Sequence, residues 1–549
     1  MQLHPKLIEL LHKRGIVSEE DIQEFLSDSP QRTYDPFLLL NMREGVDLIL
    51  SAVRKNKKIC IYGDYDADGV TSTVILTEVL SHLTDNLMHY IPSRFGEGYG
   101  LNKPALKIIR EEGAELLITV DTGTAAPEEV DYARELGMEV VVTDHHTVPE
   151  HPADGILINP HQKECPYPFS DLAGCGVAFK LAQALVSAAG LPKRVLTRTL
   201  DLVAIGTVAD IVPLRDENRT LVKYGLRVIN TGSRRSLQAL MDAAHLHGRT
   251  VTAEQIAYII GPHINAAGRV KHAEIAASLF LTDDEEMMRQ KASELAECNA
   301  RRKDQQQEVF EQAMQIISER LSGDDFLVID VQGNWEGVAG IAAGKIKELL
   351  YKPTVIVTKE ENGMLKGTGR SIEGLNLFDL LNEQKEMFTT FGGHAAACGF
   401  TLKPEYLDEF RRNLNQRTRA IRAEHPEIFI KKIMPDLRLR AQDASLDLVH
   451  QMELLEPCGC ENEQPMVAVE GRIEHAAHMG DRGQYLRFQA AMPEFHSLSC
   501  IAFHDVRRLE KEIQGTAGQP AEIVGRLQDD VWQGNHQLKM IVEDIHPPF

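Results

Sequence analysis

Seven side chains stand out by type and spacing. Asp64-Tyr65-Asp66-Ala67-Asp68-Gly69 follows the apolar run KKICIYG. Residues two apart on extended chain share a face, so three carboxylates are expected to converge there. Their mutual repulsion is unfavourable unless cations neutralise them. Asp121-Thr122-Gly123 closes a second apolar run, ELLITV, and Asp144-His145-His146 closes a third, EVVVT. Asp210 ends LDLVAIGTVAD, where an acid is out of place on burial grounds. Several Asp with one or two His and no Cys suit Mn²⁺ or Mg²⁺ better than structural Zn²⁺. So many ligands imply two ions, and ions about 3.5 to 4 Å apart are a device for in-line phosphoryl displacement. A lone Asp after a strand is usually a turn former or helix cap. Four clusters at the edges of one sheet are hard to assign to capping.

The elements that must position these residues are legible between Lys57 and about Asp210. The runs KKICIYGD, NLMHYIPS, ELLITVDTG, EVVVTDHH and GILINP alternate with helical stretches such as GVTSTVILTEVLSHL and APEEVDYARELG. Continuous apolar strands alternating with helices predict a parallel sheet covered on both faces. In such a sheet the carboxyl ends of the strands share one edge, where ligands bind. The spacing therefore predicts that the four clusters meet in space.

Flanking regions have other textures. Residues 1–50 are expected to hold two short packing helices, LIELLHKRG and SEEDIQEFLSD. Residues 51–230 form the parallel-sheet domain. Residues 231–322 read as helical, ending in a charged run from Asp284 to Leu321 with apolar residues at helical spacing, hence a long connecting helix. Residues 323–425 form a smaller α/β unit with the Gly-rich pieces GTGRSIEG and FGGHAAACGF. Five short strands in residues 426–549 predict an OB-like β-barrel.

Composition bounds the function. A chain of 549 residues, 43% hydrophobic and 26% charged, has the makeup of an enzyme of several domains and excludes fibrous or wholly unfolded classes. The opening MQLHPKLIELLHKRG has charges where a signal peptide needs an apolar core, and no window reaches the roughly 18 apolar residues of a membrane span. A cytoplasmic protein is expected. The eight cysteines include no CxxC pair and are expected to be reduced thiols. A net charge of -22 argues against a generally basic nucleic-acid binder. It leaves room for an enzyme on polyanions whose cleft is set by a few Arg and bound cations.

The set DYDADG, VDTG, TDHH and GTVADIVPL resembles the DHH phosphoesterase superfamily, and within it the single-strand-specific exonucleases that degrade from the 5′ end. Further matches are PSRFGEGYGL (92–101), LAGCGVAFKLAQAL (172–185), INAAGR (264–269), GTGRSIEGLNLFDLL (367–381) and FGGHAAACGF (391–400). The resemblance implies a DHH domain, a DHH-associated domain marked by Gly392-Gly393-His394, and an OB fold. It implies metal ligands at Asp64, Asp66, Asp68, Asp121, His145 and Asp210, with Asp121 as the bridge. His146, expected to alternate away from His145, falls to substrate phosphate, which makes Asp121, His145 and His146 the catalytic group. Arg94, Thr368 and Arg370 resemble the family's pocket for a terminal 5′ phosphate. Arg269 and His394 resemble its contacts to the phosphates nearest the cut. Two stretches depart from the family pattern, Asn334-Trp335-Glu336 and Leu455-Glu456-Pro457-Cys458-Gly459-Cys460-Glu461-Asn462.

The implied activity is a Mn²⁺- or Mg²⁺-dependent exonuclease on single-stranded DNA in repair and recombination. Single-stranded DNA is the implied partner, with a single-strand-binding protein and a helicase as protein partners and no membrane. A DHH phosphodiesterase for short oligonucleotides or cyclic dinucleotides is the alternative, disfavoured because small substrates need no strand-tracking barrel. A binding protein that had lost the chemistry would be free to lose ligands, yet the carboxylate set is complete.

Overall fold

The computed structural model describes residues 3–94, 100–333, 335–360, 362–431, 433–480, 483–493, 497–516 and 518–546. Residues 95–99 of the PSRFGEGYGL motif and Asn334 lie outside the described residues. The chain divides into two compact units. Met1–Pro262, Ala277–Arg289 and Ile433–Phe549 form the first, His263–Ala276 and Gln290–Lys432 the second. Among the described residues no helix is long and apolar enough to cross a membrane.

In the first unit the five apolar runs become β1 (Ile59–Gly63), β2 (Leu87–Tyr90), β3 (Leu116–Val120), β4 (Glu139–Thr143) and β5 (Ile156–Ile158), ordered β2-β1-β3-β4-β5. All neighbours pair in parallel. Residues of β1 and β3 are buried on both faces, which is why their sequences are continuously apolar rather than alternating. The helix Ala67–Leu80 that follows β1 is buried nearly all round. Two of its threonines are satisfied internally: the Thr71 and Thr73 hydroxyls each donate 2.8 Å back to the carbonyls of Ala67 and Gly69.

The second unit holds β6 (Leu327–Asp330), β7 (Thr354–Lys359), β8 (Leu365–Arg370), β9 (Phe388–His394) and β10 (Ala397–Leu402) in a mixed sheet ordered β6-β7-β8-β10-β9. The expected connecting helix is Glu285–Ile316, 32 residues long. In the second unit its Val309 and Ala313 pack on Leu327 and Ile329.

The last segment adds β11 (Leu437–Leu439), β12 (Val467–Met479), β13 (Tyr485–Ala491), β14 (Ser497–Ala502), β15 (Pro520–Trp532) and β16 (Asn535–His546) to the first unit. Their order is β11-β12-β13-β14-β16-β15, and an additional β12–β15 pairing closes the barrel. The Val506–Gly515 helix sits between β14 and β15. Among the described residues there are six strands rather than five, and three are not short. Only the first halves of β12 and β15 are buried, so an apolar pattern reveals half of each.

The N-terminal helices are not a free-standing segment. Leu7, Leu10, Leu11 and Ile22 join one buried core with Leu437, Phe488, Ile523 and other barrel residues. A further helix, Met42–Arg54, runs across the expected boundary at residue 50. The guanidinium of Arg219 donates to the carbonyls of Leu454, Leu455, Glu456 and Pro457 at 2.8 to 3.2 Å. Asn462 Nδ2 donates to Leu455 and Pro457 from the other end of the same stretch. The departure from the family pattern at Cys458 and Cys460 thus leaves a fully hydrogen-bonded junction. All eight cysteines are free thiols.

Candidate metal centre

The carboxyl ends of β1, β3 and β4 deliver the site. Asp64 directly follows β1, but the extended-chain expectation for DYDADG fails at Ala67, where a helix begins. Asp66 is the N-cap of the Ala67–Leu80 helix, its carboxylate accepting from the N–H groups of Asp68 and Gly69 at 3.0 Å, and Asp68 lies in the first helical turn. The three carboxylates meet because the chain turns into a helix, not because it stays extended. The capping role set aside for the cluster as a whole is therefore real for Asp66.

Asp121 follows β3 with φ +58°, a left-handed conformation that an Asp tolerates better than most residues. His145 Nε2 lies 3.1 Å from Asp121 Oδ1, 3.6 Å from Asp210 Oδ2 and 3.8 Å from Asp68 Oδ2. Asp210 caps the C-terminus of the buried Leu200–Ala209 helix. Asp64, Asp66 and Asp121 each offer an oxygen within 4.8 Å of the others, as do the ligand atoms of Asp68, His145 and Asp210. These are the six residues expected as ligands, gathered in two groups that meet where Asp121 Oδ1 lies against His145 Nε2. Arg94, with its guanidinium 5.5 Å from the centre of the Tyr65 ring, is near enough to Asp64 to favour its ionised form.

His146 is not turned away. Its ring centroid is 4.6 Å from that of His145, and its Nδ1 lies 2.7 Å from Asp144 Oδ1 and 3.9 Å from Asp121 Oδ1. Alternation is lost because β4 ends at Thr143 and Asp144 organises a turn: its carboxylate also accepts the N–H groups of Thr124, His145 and His146. Asp144 is a positioning residue that spacing alone did not single out.

Two glycines were also missed. The helix Gly174–Ala189 points its first N–H groups at Asp68, Gly174 and Cys175 donating at 2.6 and 2.9 Å. A Cβ on Gly174 would stand 2.6 Å from the Asp121 carboxylate, and one on Gly206 2.7 Å from Asp68 Oδ1. The signal was present in LAGCG and AIGTVAD: glycine inside buried apolar helices marks a close approach.

Charge in this site is poorly compensated. Burial, then the carboxylates of Asp68, Asp66, Asp64 and Asp210, push Asp121 well above the usual carboxylate range. Burial and Asp66 do the same to Asp64, and burial with Asp68 and Asp66 pushes Asp210 up to about 9. Burial lowers His145. Against the upward push of burial, the hydrogen bond and charge of His146 hold Asp144 down at about 2. His146, which burial alone would lower, is raised to about 9 by the same pair. Asp64 Oδ1, Asp121 Oδ1 and His145 Nε2 are buried with no hydrogen-bond partner among the described residues. Orphaned acceptors of this kind are costly, and divalent cations placed among them would satisfy all three. The donor set and its geometry fit Mn²⁺ or Mg²⁺.

The family models match in the same places: the DHH family N-terminal domain over residues 58–207, the DHHA1 domain over 323–420 and the RecJ OB domain over 435–544. The single-stranded-DNA-specific exonuclease RecJ of Bacillus subtilis is 36% identical over 99% of this chain and 68% of its own. That of Haemophilus influenzae is 31% identical over 99% and 96%. The chain belongs to the RecJ family. A crystal structure of Thermus thermophilus RecJ in complex with Mn²⁺ superposes with a TM-score of 0.82 at 28% identity, covering 98% of this chain and 76% of that one. A manganese-bound exonuclease RecJ structure gives 0.61 at 33% identity, over 69% and 95%.

The remaining expected RecJ-type contacts lie in the second unit. Thr368 and Arg370 share a face of β8, alternating with buried Gly367 and Gly369. Gly340 approaches both, since a Cβ there would be 3.0 Å from Thr368 Cγ2 and Arg370 Nη2. Register aligns Arg370 with Ala397 on β10 and Ala397 with His394 on β9, and His394 is exposed. Arg269 donates from Nη1 to the Gly337 carbonyl at 3.0 Å. Trp335 and Glu336 precede that glycine, Glu336 pairing with Lys366.

Proposed function

We propose that the protein is a metal-dependent exonuclease that hydrolyses phosphodiester bonds of single-stranded DNA from the 5′ end, in DNA repair and recombination. The observation that carries the reading is the buried cluster of Asp64, Asp66, Asp68, Asp121, His145 and Asp210 with three unpartnered polar atoms aimed into it. These six residues would hold two Mn²⁺ or Mg²⁺ ions, and Asp121, which stands against both ligand groups, is the residue we assign to both. When bound, the ions supply an activated water and stabilise the leaving oxygen. Asp144 holds His146 by one ring nitrogen and so orients the other toward a substrate phosphate. Arg269 and His394 contact the phosphates next to the cut. Arg94, Thr368 and Arg370 bind a terminal 5′ phosphate, guanidinium being the preferred bidentate partner of phosphate.

The barrel supplies strand contacts beyond the cut, which favours long strands over dinucleotides. The domain division expected from the sequence stays our working one, with the N-terminal helices counted with the barrel whose core they join. A single-strand-binding protein and a helicase are the protein partners this activity calls for, and its substrate places it in the cytoplasm.

The test compares 5′-phosphate and 5′-hydroxyl single strands with blocked 3′ ends. Charge-assisted contacts are worth roughly 1.5 to 3 kcal/mol each, so Arg370→Ala is expected to cut the preference for a 5′ phosphate by about ten- to a hundredfold. Wild-type protein that ignores the 5′ phosphate, or that stops when the 3′ end is blocked, contradicts the polarity.

A further inference from the structure

A second group of ligating side chains lies on the barrel, outside the carboxylate cluster. His450, from the Leu446–Met452 helix, places Nε2 2.8 Å from Asp529 Oδ2. His536, from the start of β16, places Nδ1 2.6 Å from the same oxygen. The two imidazole planes stand at 88° with centroids 6.3 Å apart. Asp529 lies on β15, and the hairpin fixes it beside His536: Asp529 pairs with Leu538, and Val531 with His536, so the two are diagonal neighbours. The Asp529 side chain is only 10% exposed, and its Oδ1 is buried without a hydrogen-bond partner among the described residues. Each imidazole is about half exposed, at 49% and 51%, so the group opens to solvent.

Two features set this group apart from an ordinary hydrogen-bonded triad. A carboxylate has about four acceptor positions on two oxygens, and two donating rings would be expected to divide between them. Here both rings crowd one oxygen while the buried one stays empty. The three ligand atoms also lie within 4.8 Å of one another. Around a tetrahedral cation with bonds of about 2.0 to 2.1 Å, ligand atoms sit about 3.3 Å apart. The two contacts to Asp529 need to open by only about 0.5 to 0.7 Å, which half-exposed side chains on a short helix and a hairpin end can do.

We infer that His450, Asp529 and His536 form a second metal site for a borderline divalent cation of the Zn²⁺ class. Two imidazoles and one carboxylate select such a cation over the harder Mg²⁺ or Mn²⁺, and three protein ligands leave a fourth position for water. The bound ion would staple the Leu446–Met452 helix to the β15–β16 hairpin, whose end carries the exposed Trp532. The inference stands on these side chains and does not depend on the reading of the carboxylate cluster.

The test is equilibrium dialysis of the full chain against Zn²⁺ with elemental analysis, in an Asp121→Asn background that weakens the other cluster. We expect this background to hold one firmly bound Zn²⁺ more per chain than when His450→Gln or His536→Gln is added, with at least tenfold weaker retention of that ion in either. Co²⁺ should give the visible absorption of a tetrahedral site in the background protein and none in either double variant. With Trp335→Phe leaving Trp532 as the one tryptophan of the two in the chain, Co²⁺ should quench its fluorescence. Both histidines are half exposed, so these variants leave the core intact, and unchanged thermal melts in EDTA check this. Zn²⁺ that fails to bind the background protein, or that binds both double variants equally well, overturns the site.

Discussion

Two buried charged groups in the first unit are built in opposite ways. Lys180 and Glu217, 1% and 0% exposed, form an ion pair at 2.9 Å. Glu217 also accepts from the Tyr34 N–H and the Tyr167 hydroxyl, and Lys180 donates to the Tyr34 carbonyl. Charge and hydrogen bonds are settled within the chain. The carboxylate cluster gathers five Asp around His145 and, among the described residues, leaves three buried atoms unpartnered. Protein groups complete the first arrangement; the second is complete only with cations. The difference separates a buried polar group that holds the fold from one that binds.

The comparison breaks most visibly if the same class of substitution acts alike on both. Asp121→Asn is expected to lower single-strand cleavage by roughly three orders of magnitude, about 4 kcal/mol in activation free energy. It should also raise the melting temperature of the metal-free protein, because it removes one repelling carboxylate. Lys180→Met should do the reverse, stranding Glu217 and lowering stability by about 3 to 5 kcal/mol, read by denaturant titration. A metal-free Asp121→Asn protein that melts lower than wild type would contradict the contrast.

Asp144→Asn sharpens it at the next scale. The residue organises the His145-His146 turn without joining the ligand groups, so turnover should fall about ten- to a hundredfold with metal stoichiometry unchanged. pH supplies a smaller effect. Asp210 is raised to about 9, so the folded metal-free protein binds more protons than the unfolded chain. That stability is fully present below the unfolded value near 3.8 and is lost as pH rises through about 9. Melting temperatures without metal should therefore fall across this window, and saturating Mn²⁺ should flatten the slope.

The smallest effect belongs to the barrel surface. Deleting residues beyond 430 would uncover Leu7, Leu10 and Leu11 and confuse binding with folding. Trp532, 73% exposed at the end of β15, permits a cleaner change. Base stacking contributes about 1 to 3 kcal/mol, so Trp532→Ala should weaken binding of long single strands by about fivefold or more with turnover at saturating DNA unaltered.

Where the sequence was legible follows from the same physics. β1, β3 and β4 and the three clusters at their ends could be read because strands buried on both faces leave unbroken apolar runs. The turn at Asp66 could not, since a helix cap and an extended ligand look alike until the first N–H groups are placed. Asp144 stayed hidden because its role rests on Thr124, twenty residues away, as well as on its neighbours. The N-terminal helices showed their apolar stripes, but nothing local reveals that their partner is a barrel more than 400 residues later.

Mn²⁺ binding followed by magnetic resonance, in a His450→Gln background that silences the barrel site, tests the central claim most directly. The account predicts two ions per wild-type cluster that are magnetically coupled through a shared carboxylate, and loss of that coupling with at least one ion in Asp121→Asn. Two uncoupled ions in the wild type, or a coupled pair that survives Asp121→Asn, would contradict it.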